Sequence, residues 1–458
     1  MGSKYGIAHA WRSLASGLLF PLHERLKGHD TVGVRRRLEQ SQWNSQDTID
    51  RQAFHAVKAF LERAGEKVPY YRKLYETYHF QPRDMVDWGD LARLPLLDKA
   101  IIRGNTQSLT AEDASGLKSF NTGGSSGEPL TFYLSRERVS HDVAAKWRAT
   151  RWWDVDIGDP EIVLWGSPVE LGAQDRLKQV RDRLFRTRLL PAFAMSDENM
   201  EDYLRIIART RPRILFGYPS ALALLAERAE RLGAPRGLYQ RDRVIFCTGE
   251  RLYPAQRERV EGVFGGQVAN GYGGRDAGFI AHECPAGGMH LCAEDIVVEI
   301  VDTAGTPLPA GEPGEIVVTH MATSAFPFIR YRTGDIAALD RTLCPCGRGL
   351  PKLTDIQGRA TDFVVAADGT RMHGLALIYV LREQPGIATF RIEQHTLQHT
   401  TVSIVPEADC PYDVDAIIRR GIRERLGEGV RVDVEHCSSI LPERSGKYRY
   451  VVSHLSVT

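Results

Sequence analysis

The segment from Thr122 to Leu130, Thr-Gly-Gly-Ser-Ser-Gly-Glu-Pro-Leu, combines residue types that suit the binding of an anion. Glycine packs poorly in helices and strands, and serine and threonine divert backbone hydrogen bonds, so a loop is expected here. The N–H groups and hydroxyls of such a loop can surround a phosphate. A flexible surface turn is the alternative interpretation. The candidate phosphate ligands are Thr122, Gly123, Gly124, Ser125, Ser126 and Gly127.

Two downstream segments place carboxylates after glycine-containing turns. Residues 270–276 read Asn-Gly-Tyr-Gly-Gly-Arg-Asp, and residues 331–335 read Tyr-Arg-Thr-Gly-Asp. From the end of a Thr-Gly turn, the Asp335 carboxylate can accept hydrogen bonds from two neighbouring hydroxyls. The alternative at Asp276 is a surface aspartate after a glycine turn, and the alternative at Asp335 is ordinary turn chemistry, because Gly-Asp pairs are common in turns.

A separate set of candidate metal ligands lies on two proline-containing turns and consists of Cys284, His290, Cys344 and Cys346. Thiolates and an imidazole of this kind suit tetrahedral Zn²⁺ with a closed, structural shell. The spacing is not that of a standard zinc finger, and His282 and Cys292 are competing ligands. Unrelated buried cysteines and a surface histidine are the alternative interpretation.

Five segments in this order resemble the motifs of AMP-forming, adenylate-forming ligases. The loop from Thr122 resembles their phosphate-binding motif, residues 331–335 their ribose-binding motif, and residues 270–276 their Tyr-Gly-x-x-Glu segment. Residues 358–362, Gly-Arg-Ala-Thr-Asp, resemble the domain hinge, and residues 445–447, Ser-Gly-Lys, resemble the catalytic-lysine motif. The resemblance therefore covers the chain from about residue 120 to residue 450.

Finer features resemble the phenylacetate–CoA ligase branch, and within it the capsule-biosynthesis-type members. They are Leu130, where many relatives carry lysine, Val-Pro-Tyr-Tyr-Arg at residues 68–72, and Cys-Pro-Cys-Gly-Arg at residues 344–348. Members of this branch have a similar set of cysteines and histidine that resembles a metal site. The resemblance therefore favours zinc over the interpretation as unrelated buried cysteines and a surface histidine.

The resemblance implies a role for each nucleotide-binding residue. Tyr272, next to Gly273, is expected to stack on adenine, while Asp335 and Arg359 are expected to contact ribose and phosphate. Glu250 follows a predicted strand and borders the nucleotide and the acyl substrate. Asp276 stands where the family has glutamate, and a carboxylate one methylene shorter can still hold Mg²⁺ directly or through water.

Lys447 is the expected catalytic residue. A solvated surface lysine is the ordinary interpretation of any lysine, but the preceding Ser-Gly and the upstream hinge favour function here. The ammonium is expected to bridge the substrate carboxylate and the α-phosphate of ATP when a small lid domain closes. The lid is expected to turn near Asp362 and then to withdraw Lys447.

The acyl substrate is the least determined part of the prediction. Trp165, Phe216 and Tyr218 lie at the expected carboxyl ends of strands, where open α/β sheets bind ligands. These aromatic residues favour an aryl or other small acid, although aromatic residues there are also ordinary core residues. Coenzyme A is the expected acceptor. The alternatives are an amine or sugar acceptor, and a non-catalytic nucleotide-binding remnant.

Bulk composition excludes several other classes of protein. The 458 residues are 43% hydrophobic and 26% charged with a formal net charge of +1, so nothing favours nucleic acid or an anionic membrane as partner. No stretch approaches about 18 uncharged apolar residues, so no membrane span is expected.

Seven cysteines do not suit a disulfide framework, and a reducing cytoplasm is expected. A dimer is compatible with the sequence. Neither a P-loop nor a Gly-x-Gly-x-x-Gly dinucleotide motif occurs.

The elements that must position these residues follow an α/β pattern. Short β-rich runs alternate with helical runs from residue 161 to residue 247, which predicts α/β units around mostly parallel sheets. A helical region is expected over residues 1–80, and a β-rich section over residues 295–320. We therefore predict a large N-terminal adenylate-forming domain, residues 1–357, and a small mobile α+β lid, residues 358–458.

Overall fold

The structure is a computed structural model, and it describes most of the chain. The described residues are 10–121, 130–165, 176–192, 195, 197–234, 243–359, 363–369, 371–373, 375–382, 384–407, 410–440 and 450–455. The chain divides into two compact units. The first comprises Met1–Thr333 and Ala337–Ile356, and the second comprises Gly334–Ile336 and Gln357–Thr458.

The first unit begins with a helical region. A π-helical turn at Ala15–Leu19 leads into α1 (Phe20–Leu26), α2 (Thr31–Ser41), α3 (Gln46–Lys67), α4 (Pro69–Thr77) and α5 (Lys99–Asn105), with short 3-10 turns at Pro82–Asp84 and Trp88–Arg93. Helix α3 begins where the Ser45 hydroxyl accepts a hydrogen bond from the Thr48 N–H. Its apolar face, which includes Val57, Phe60 and Leu61, joins the main core, as the helical spacing predicts. No helix among the described residues is long and apolar enough to cross a membrane.

An antiparallel hairpin and one large sheet follow. The hairpin is formed by β1 (Lys118–Asn121) and β2 (Thr131–Leu134), in which Asn121 pairs with Thr131. The large sheet contains β3 (Glu161–Leu164), β4 (Thr187–Leu190), β5 (Ile214–Gly217), β6 (Val244–Thr248), β7 (Gln267–Gly274), β8 (Gly278–Glu283), β9 (Met289–Leu291), β10 (Ile296–Val301), β11 (Gly314–His320), β12 (Phe328–Asp340) and β13 (Lys352–Arg359).

The order of this sheet is β10-β11-β12-β13-β9-β8-β7-β6-β5-β3-β4. Strands β4, β3, β5, β6 and β7 pair in parallel, and the pairing becomes antiparallel from β7 to β8. The β-rich section therefore continues the parallel sheet, and β7 is the strand at which the strand direction changes.

Helices connect or cover the parallel strands. They are α6 (Arg136–Arg151), α7 (Arg176–Leu184), α8 (Asp197–Thr210), α9 (Pro219–Arg231) and α10 (Pro254–Phe264). Strand residues Leu215, Ile245 and Val268 pack with the α8–α10 side chains in one core cluster, and Ile214 and Val244 lie in another cluster with Val155. The parallel strands are thus buried on both faces, which explains their continuous apolar runs.

The second unit is a small α+β structure. It contains the hairpin β14 (Phe363–Val365) and β15 (Arg371–His373), helices α11 (Leu375–Arg382) and α12 (Val414–Leu426), and strands β16 (Ile387–Thr396), β17 (His399–Pro406), β18 (Arg431–His436) and β19 (Val451–Ser453). The last four strands form a sheet in the order β18-β17-β16-β19. Helix α12 buries Val414, Ile418, Ile422 and Leu426, which lie on one helical face. The predicted fold class is confirmed.

Candidate functional site

The predicted pocket residues meet at the carboxyl edge of the parallel strands. The rings of Trp165, after β3, and Tyr218, after β5, stack with centroids 3.9 Å apart. Phe216 lies 5.5 Å from Trp165, again between centroids. A Cβ atom at Gly249, where φ is +83°, would lie 3.2 Å from the Trp165 ring, so only glycine fits here without displacing it.

Glu250 lies beside this aromatic pair. One of its carboxylate oxygens accepts a hydrogen bond at 3.2 Å from the backbone N–H of Ser220, near the start of α9. Burial raises the pKa of the Tyr218 hydroxyl, and the charge of Glu250 raises it further. The structure thus brings Trp165, Phe216, Tyr218 and Glu250 together from segments up to 85 residues apart (165 to 250).

Tyr272 lies near the end of β7, the strand at which the sheet changes direction. Its hydroxyl donates to Thr333 Oγ1 at 3.5 Å, and the Thr333 hydroxyl donates to the Ile316 carbonyl at 2.8 Å. At Gly273 the β7–β8 register shifts, and a Cβ atom there would lie 2.2 Å from the Gly278 carbonyl oxygen. Glycine at 273 therefore permits the tight β7–β8 turn that follows Tyr272.

Asp276, in that turn, has a fixed and half-buried carboxylate. The Tyr331 hydroxyl donates to Asp276 Oδ2 at 2.7 Å, and the Ala277 N–H donates to Oδ1 at 3.1 Å. The Arg138 guanidinium donates to the Asp276 backbone carbonyl at 3.3 Å. Side chain and backbone are therefore both held, which is what a metal-binding carboxylate requires.

Tyr331 is itself rigidly placed. It is 1% exposed, and the preceding Arg330 has a φ of +50°, which non-glycine residues rarely adopt. The Arg330 guanidinium compensates by donating to Glu299 at 3.1 and 3.0 Å and to the Gly305 carbonyl at 3.0 Å. This anchored stretch of β12 places the Tyr331 hydroxyl against Asp276.

The remaining predicted nucleotide residues are less completely described. Asp335 lies in β12 and belongs to the second unit, and Gly334 before it has a φ of +74°. Arg359 is the last residue of β13. Thr122, Gly123, Gly124, Ser125, Ser126 and Gly127, together with Asp362 and Lys447, lie outside the described residues, so their roles stay predictions.

The four predicted metal ligands converge. One ligand atom each from Cys284, His290, Cys344 and Cys346 lies within 4.8 Å of all the others. The Sγ atoms of Cys284 and Cys344 are 3.7 Å apart, and His290 Nε2 is 3.2 Å from Cys346 Sγ. Tetrahedral zinc with sulfur ligands at 2.3 Å would separate its sulfurs by about 3.8 Å. The donor set and its dimensions fit zinc.

The surroundings of the cluster orient its ligands. The Leu350 carbonyl lies 3.0 Å from His290 Nδ1, which leaves Nε2 as the ligand atom. A Cβ atom at Gly288 would lie 2.8 Å from Cys344 Sγ, so a larger residue would disturb the set. The competing candidates lie elsewhere, because Cys292 packs with Val34 and His282 is not one of the four converging residues.

Two family models match parts of the chain. The model of the AMP-binding enzyme family matches residues 186–324, and that of the CapK C-terminal domain matches residues 364–454. Over these two segments the chain is similar to the AMP-binding enzyme family and to the C-terminal domain of CapK.

Similar proteins share little sequence identity with this chain but match it over most of its length. The phenylacetate-coenzyme A ligase of Aromatoleum evansii is 26% identical over 72% of this chain and 74% of that protein. Protein CapK of Staphylococcus aureus is 21% identical over 80% of this chain and 81% of that protein. A 2-hydroxyisobutyryl-CoA ligase solved in complex with R3-HIB-AMP has a TM-score of 0.71 at 21% identity, over 90% of this chain and 91% of that one. This last likeness shows that the fold is shared.

Sequence reasoning about this chain missed three side chains near the site. It assigned no separate role to Tyr331, and it overlooked Arg138 and Lys146 on α6. No local signal distinguishes these basic residues from the solvated charges of an ordinary helix. Lys146 Nζ lies 4.1 Å from the centroid of the Phe216 ring. Burial, and then the charges of Arg148 and Lys146, lower the pKa of His282 on β8 to about 3.

Proposed function

We propose that this chain is an ATP-dependent, AMP-forming carboxylate ligase that makes an acyl adenylate and transfers the acyl group to coenzyme A. The hydrogen bond from Tyr331 to Asp276 carries the proposal, because it joins two separate sequence motifs. Tyr272 and Thr333 join the same two motifs a second time. The match of residues 186–324 to the AMP-binding enzyme family and the similarity to proteins named phenylacetate-coenzyme A ligase support the same activity.

In the first half-reaction, a carboxylate oxygen of the acid bonds to the α-phosphorus of ATP while the bond to pyrophosphate breaks. The hydroxyls of Ser125 and Ser126 hold the departing phosphates, and Tyr272 positions the adenine. Bound Mg²⁺ supplies charge neutralisation for the phosphates. Asp276 is the residue that would hold it, because its carboxylate is already fixed by Tyr331 and Ala277.

In this step the Lys447 ammonium lies between the two anionic reactants, the substrate carboxylate and the α-phosphate of ATP, and its positive charge stabilises the negative charge that builds up. It is the single lysine of residues 358–458, a segment otherwise rich in arginine. In the second half-reaction the thiol of coenzyme A loses its proton, its sulfur bonds to the acyl carbon, and AMP leaves. We propose that the second unit turns near Asp362 between the two steps and so withdraws Lys447.

A second candidate differs only in the acceptor. The resemblance to capsule-biosynthesis-type members implies transfer to an amine or a sugar hydroxyl in place of a thiol, and the match to the CapK C-terminal domain and the similarity to protein CapK support that resemblance. The first half-reaction and its residues would be the same.

We also propose that Cys284, His290, Cys344 and Cys346 hold one structural zinc ion. The support is their convergence within 4.8 Å and the hydrogen-bond geometry of His290. With four protein ligands, no coordination position is left for a substrate. The ion would therefore contribute to stability and leave the chemistry to other residues.

Pyrophosphate release tests the proposed function. Purified protein is incubated with ATP, Mg²⁺ and a panel of aryl and short aliphatic acids, with and without coenzyme A. We expect release with at least one acid and thioester formation only when coenzyme A is present. If pyrophosphate release led to acyl transfer to an added amine or sugar, and no thioester formed with coenzyme A, the second candidate would be favoured. No release with any acid or acceptor would refute both.

Lys447→Ala separates the two half-reactions in the same assay. We expect adenylate formation to fall at least about a hundredfold, as when a transition-state charge partner is lost. Thioester formation from pre-made acyl-AMP should persist. The control is Lys73→Ala, which removes an exposed lysine of α4. If a folded Lys447→Ala protein lost both half-reactions equally, the proposed turn of the second unit, which withdraws Lys447 between the two steps, would be contradicted.

A further inference from the structure

Lys146 is a basic residue in an unusual position. It lies on α6, which packs against the sheet, and its side chain is half-buried. The ammonium lies over the Phe216 ring at 4.1 Å from the centroid. Among the described residues, no carboxylate forms an ion pair with it, whereas Arg138 and Arg148 on the same helix pair with Asp142 and Glu294.

The sheet face beneath Lys146 leads to the predicted nucleotide site. Phe216 on β5 pairs with Phe246 on β6, and Phe246 pairs with Ala269 on β7. Side chains two positions apart share a face of a strand. Gly271 is therefore on the same face as Ala269, and its pairing partner on β8 is His282.

This face ends directly before Tyr272. Gly271 precedes that tyrosine, and a Cβ atom at Gly271 would lie 3.5 Å from both His282 Nδ1 and Thr248 Oγ1. His282 is 8% exposed, and its Nε2 atom has no hydrogen-bond partner among the described residues. Lys146 and His282 thus border one face of the sheet, where glycine at position 271 leaves room.

The position of Lys146 over the Phe216 ring suits the binding of an anion. An ammonium on an aromatic face is attracted by the ring, but its N–H donors still require acceptors. A partly buried cation without a carboxylate partner is costly unless a ligand supplies one. None of the five motifs contains Lys146, and Phe216 is a predicted lining residue of the acyl pocket. The acyl substrate is then the ligand placed to supply the anionic group.

We propose that Lys146, with His282 beside it, forms a subsite for a second carboxylate on the acyl substrate, so that the preferred substrates are dicarboxylic acids. One carboxylate is activated by ATP, and the other binds Lys146. This inference rests on the proposed function and specifies its substrate class. Phenylacetate-like acids without the second charge then become the poorer substrates.

Matched pairs of acids test the inference. The values of kcat/KM for pyrophosphate release are compared between glutarate and pentanoate, and between 4-carboxyphenylacetate and phenylacetate. A charge-assisted hydrogen bond of about 1.5–3 kcal/mol predicts a preference of roughly 10- to 150-fold for at least one dicarboxylate. Lys146→Met, similar in size but uncharged, should lower that ratio at least about tenfold, and Lys146→Arg should retain most of it.

The control variant is Lys58→Met. Lys58 also lies near an aromatic ring, with Nζ 5.8 Å from the Phe54 centroid, but it belongs to α3 and donates to the Arg83 and Met85 carbonyls. Its substitution should leave the ratio of kcat/KM between each dicarboxylate and its matched monocarboxylate unchanged. A wild-type preference for monocarboxylates, or an unchanged ratio in Lys146→Met, would overturn the inference while leaving the ligase function intact. If no acid of either kind releases pyrophosphate, the proposed function itself fails.

Discussion

At the scale of single residues, the position of the Asp276 carboxylate depends on Tyr331. Aspartate is one methylene shorter than the glutamate expected from the family resemblance, so its reach is limited. The structure fixes both of its oxygens, one by the Tyr331 hydroxyl at 2.7 Å and one by the Ala277 N–H at 3.1 Å. A short carboxylate held in this way needs little reorganisation to bind a cation.

Tyr331→Phe should therefore weaken the use of Mg²⁺. Removal of a hydrogen bond to a charged group costs about 1.5–3 kcal/mol, so the Mg²⁺ concentration for half-maximal ATP–pyrophosphate exchange should rise about tenfold or more. Magnesium titrations of exchange measure this change. Tyr71→Phe is the matched control, because Tyr71 is also 1% exposed but donates to the Pro327 carbonyl. An unchanged Mg²⁺ requirement in Tyr331→Phe would show that the carboxylate does not serve the metal.

At the scale of secondary-structure elements, α6 is fastened to the sheet by buried charged groups. Arg138 donates to Asp142 at 2.8 Å, and Asp142 lies 3.5 Å from His320 Nε2 at the end of β11. The Ala322 N–H donates to His320 Nδ1 at 3.3 Å, so Nδ1 carries no proton. Burial, and then the charge of Arg138, lower the pKa of His320 to about 4, although Asp142 and Asp295 act in the opposite direction.

This neutral histidine makes stability depend on pH. The folded pKa lies below the unfolded value of about 6.5, so as pH falls below 6.5 the unfolded state takes up a proton that the folded state excludes. The free energy of unfolding should fall by about 2 kcal/mol from this group between pH 7 and pH 5. Urea unfolding at both pH values measures it.

His320→Asn should remove that contribution and flatten the pH dependence. The exposed His55→Asn variant is the control and should keep the wild-type slope. If His320→Asn loses as much stability between pH 7 and pH 5 as the wild type does, the buried imidazole is not the cause.

At the scale of the whole molecule, the proposed zinc ligands lie where distant parts of the first unit meet. The loop that carries Cys344 and Cys346 continues to Arg348, whose guanidinium lies 4.9 Å from the Trp43 ring and 4.6 Å from the Trp152 ring, both measured to the centroid. The Gly349 N–H donates to the Gln42 carbonyl at 3.0 Å. One ion would thereby hold the sheet, the end of α6 and the N-terminal helices together.

Freshly purified protein should contain about one zinc ion per chain by elemental analysis. Cys344→Ser should lose the zinc and lower the thermal unfolding midpoint by several degrees, because the closed ligand shell stabilises the fold. Cys292→Ser, at a buried cysteine outside the cluster, should keep the zinc. Chelator-free protein without a transition metal, or full zinc retention in Cys344→Ser, would contradict the proposed site.

The sequence alone determined the fold class, the order of the motifs and most helices and strands. Apolar periodicity and turn chemistry are local properties, so the strands at 214–217 and 244–248 and the helix Val414–Leu426 follow from short windows. The four converging residues were also predicted as a set, although their spacing alone is a weak signal and the family resemblance was needed to favour a metal site.

Only the tertiary structure decided how these parts meet. The β-rich section joins the parallel strands in one sheet, Tyr331 reaches Asp276 across 55 residues of sequence, and Lys146 lies over Phe216. The exclusion of Cys292 from the metal cluster likewise required the structure. Each outcome depends on strand register and on helix placement over the sheet. These are set by burial summed over the whole core, which no short window of sequence contains.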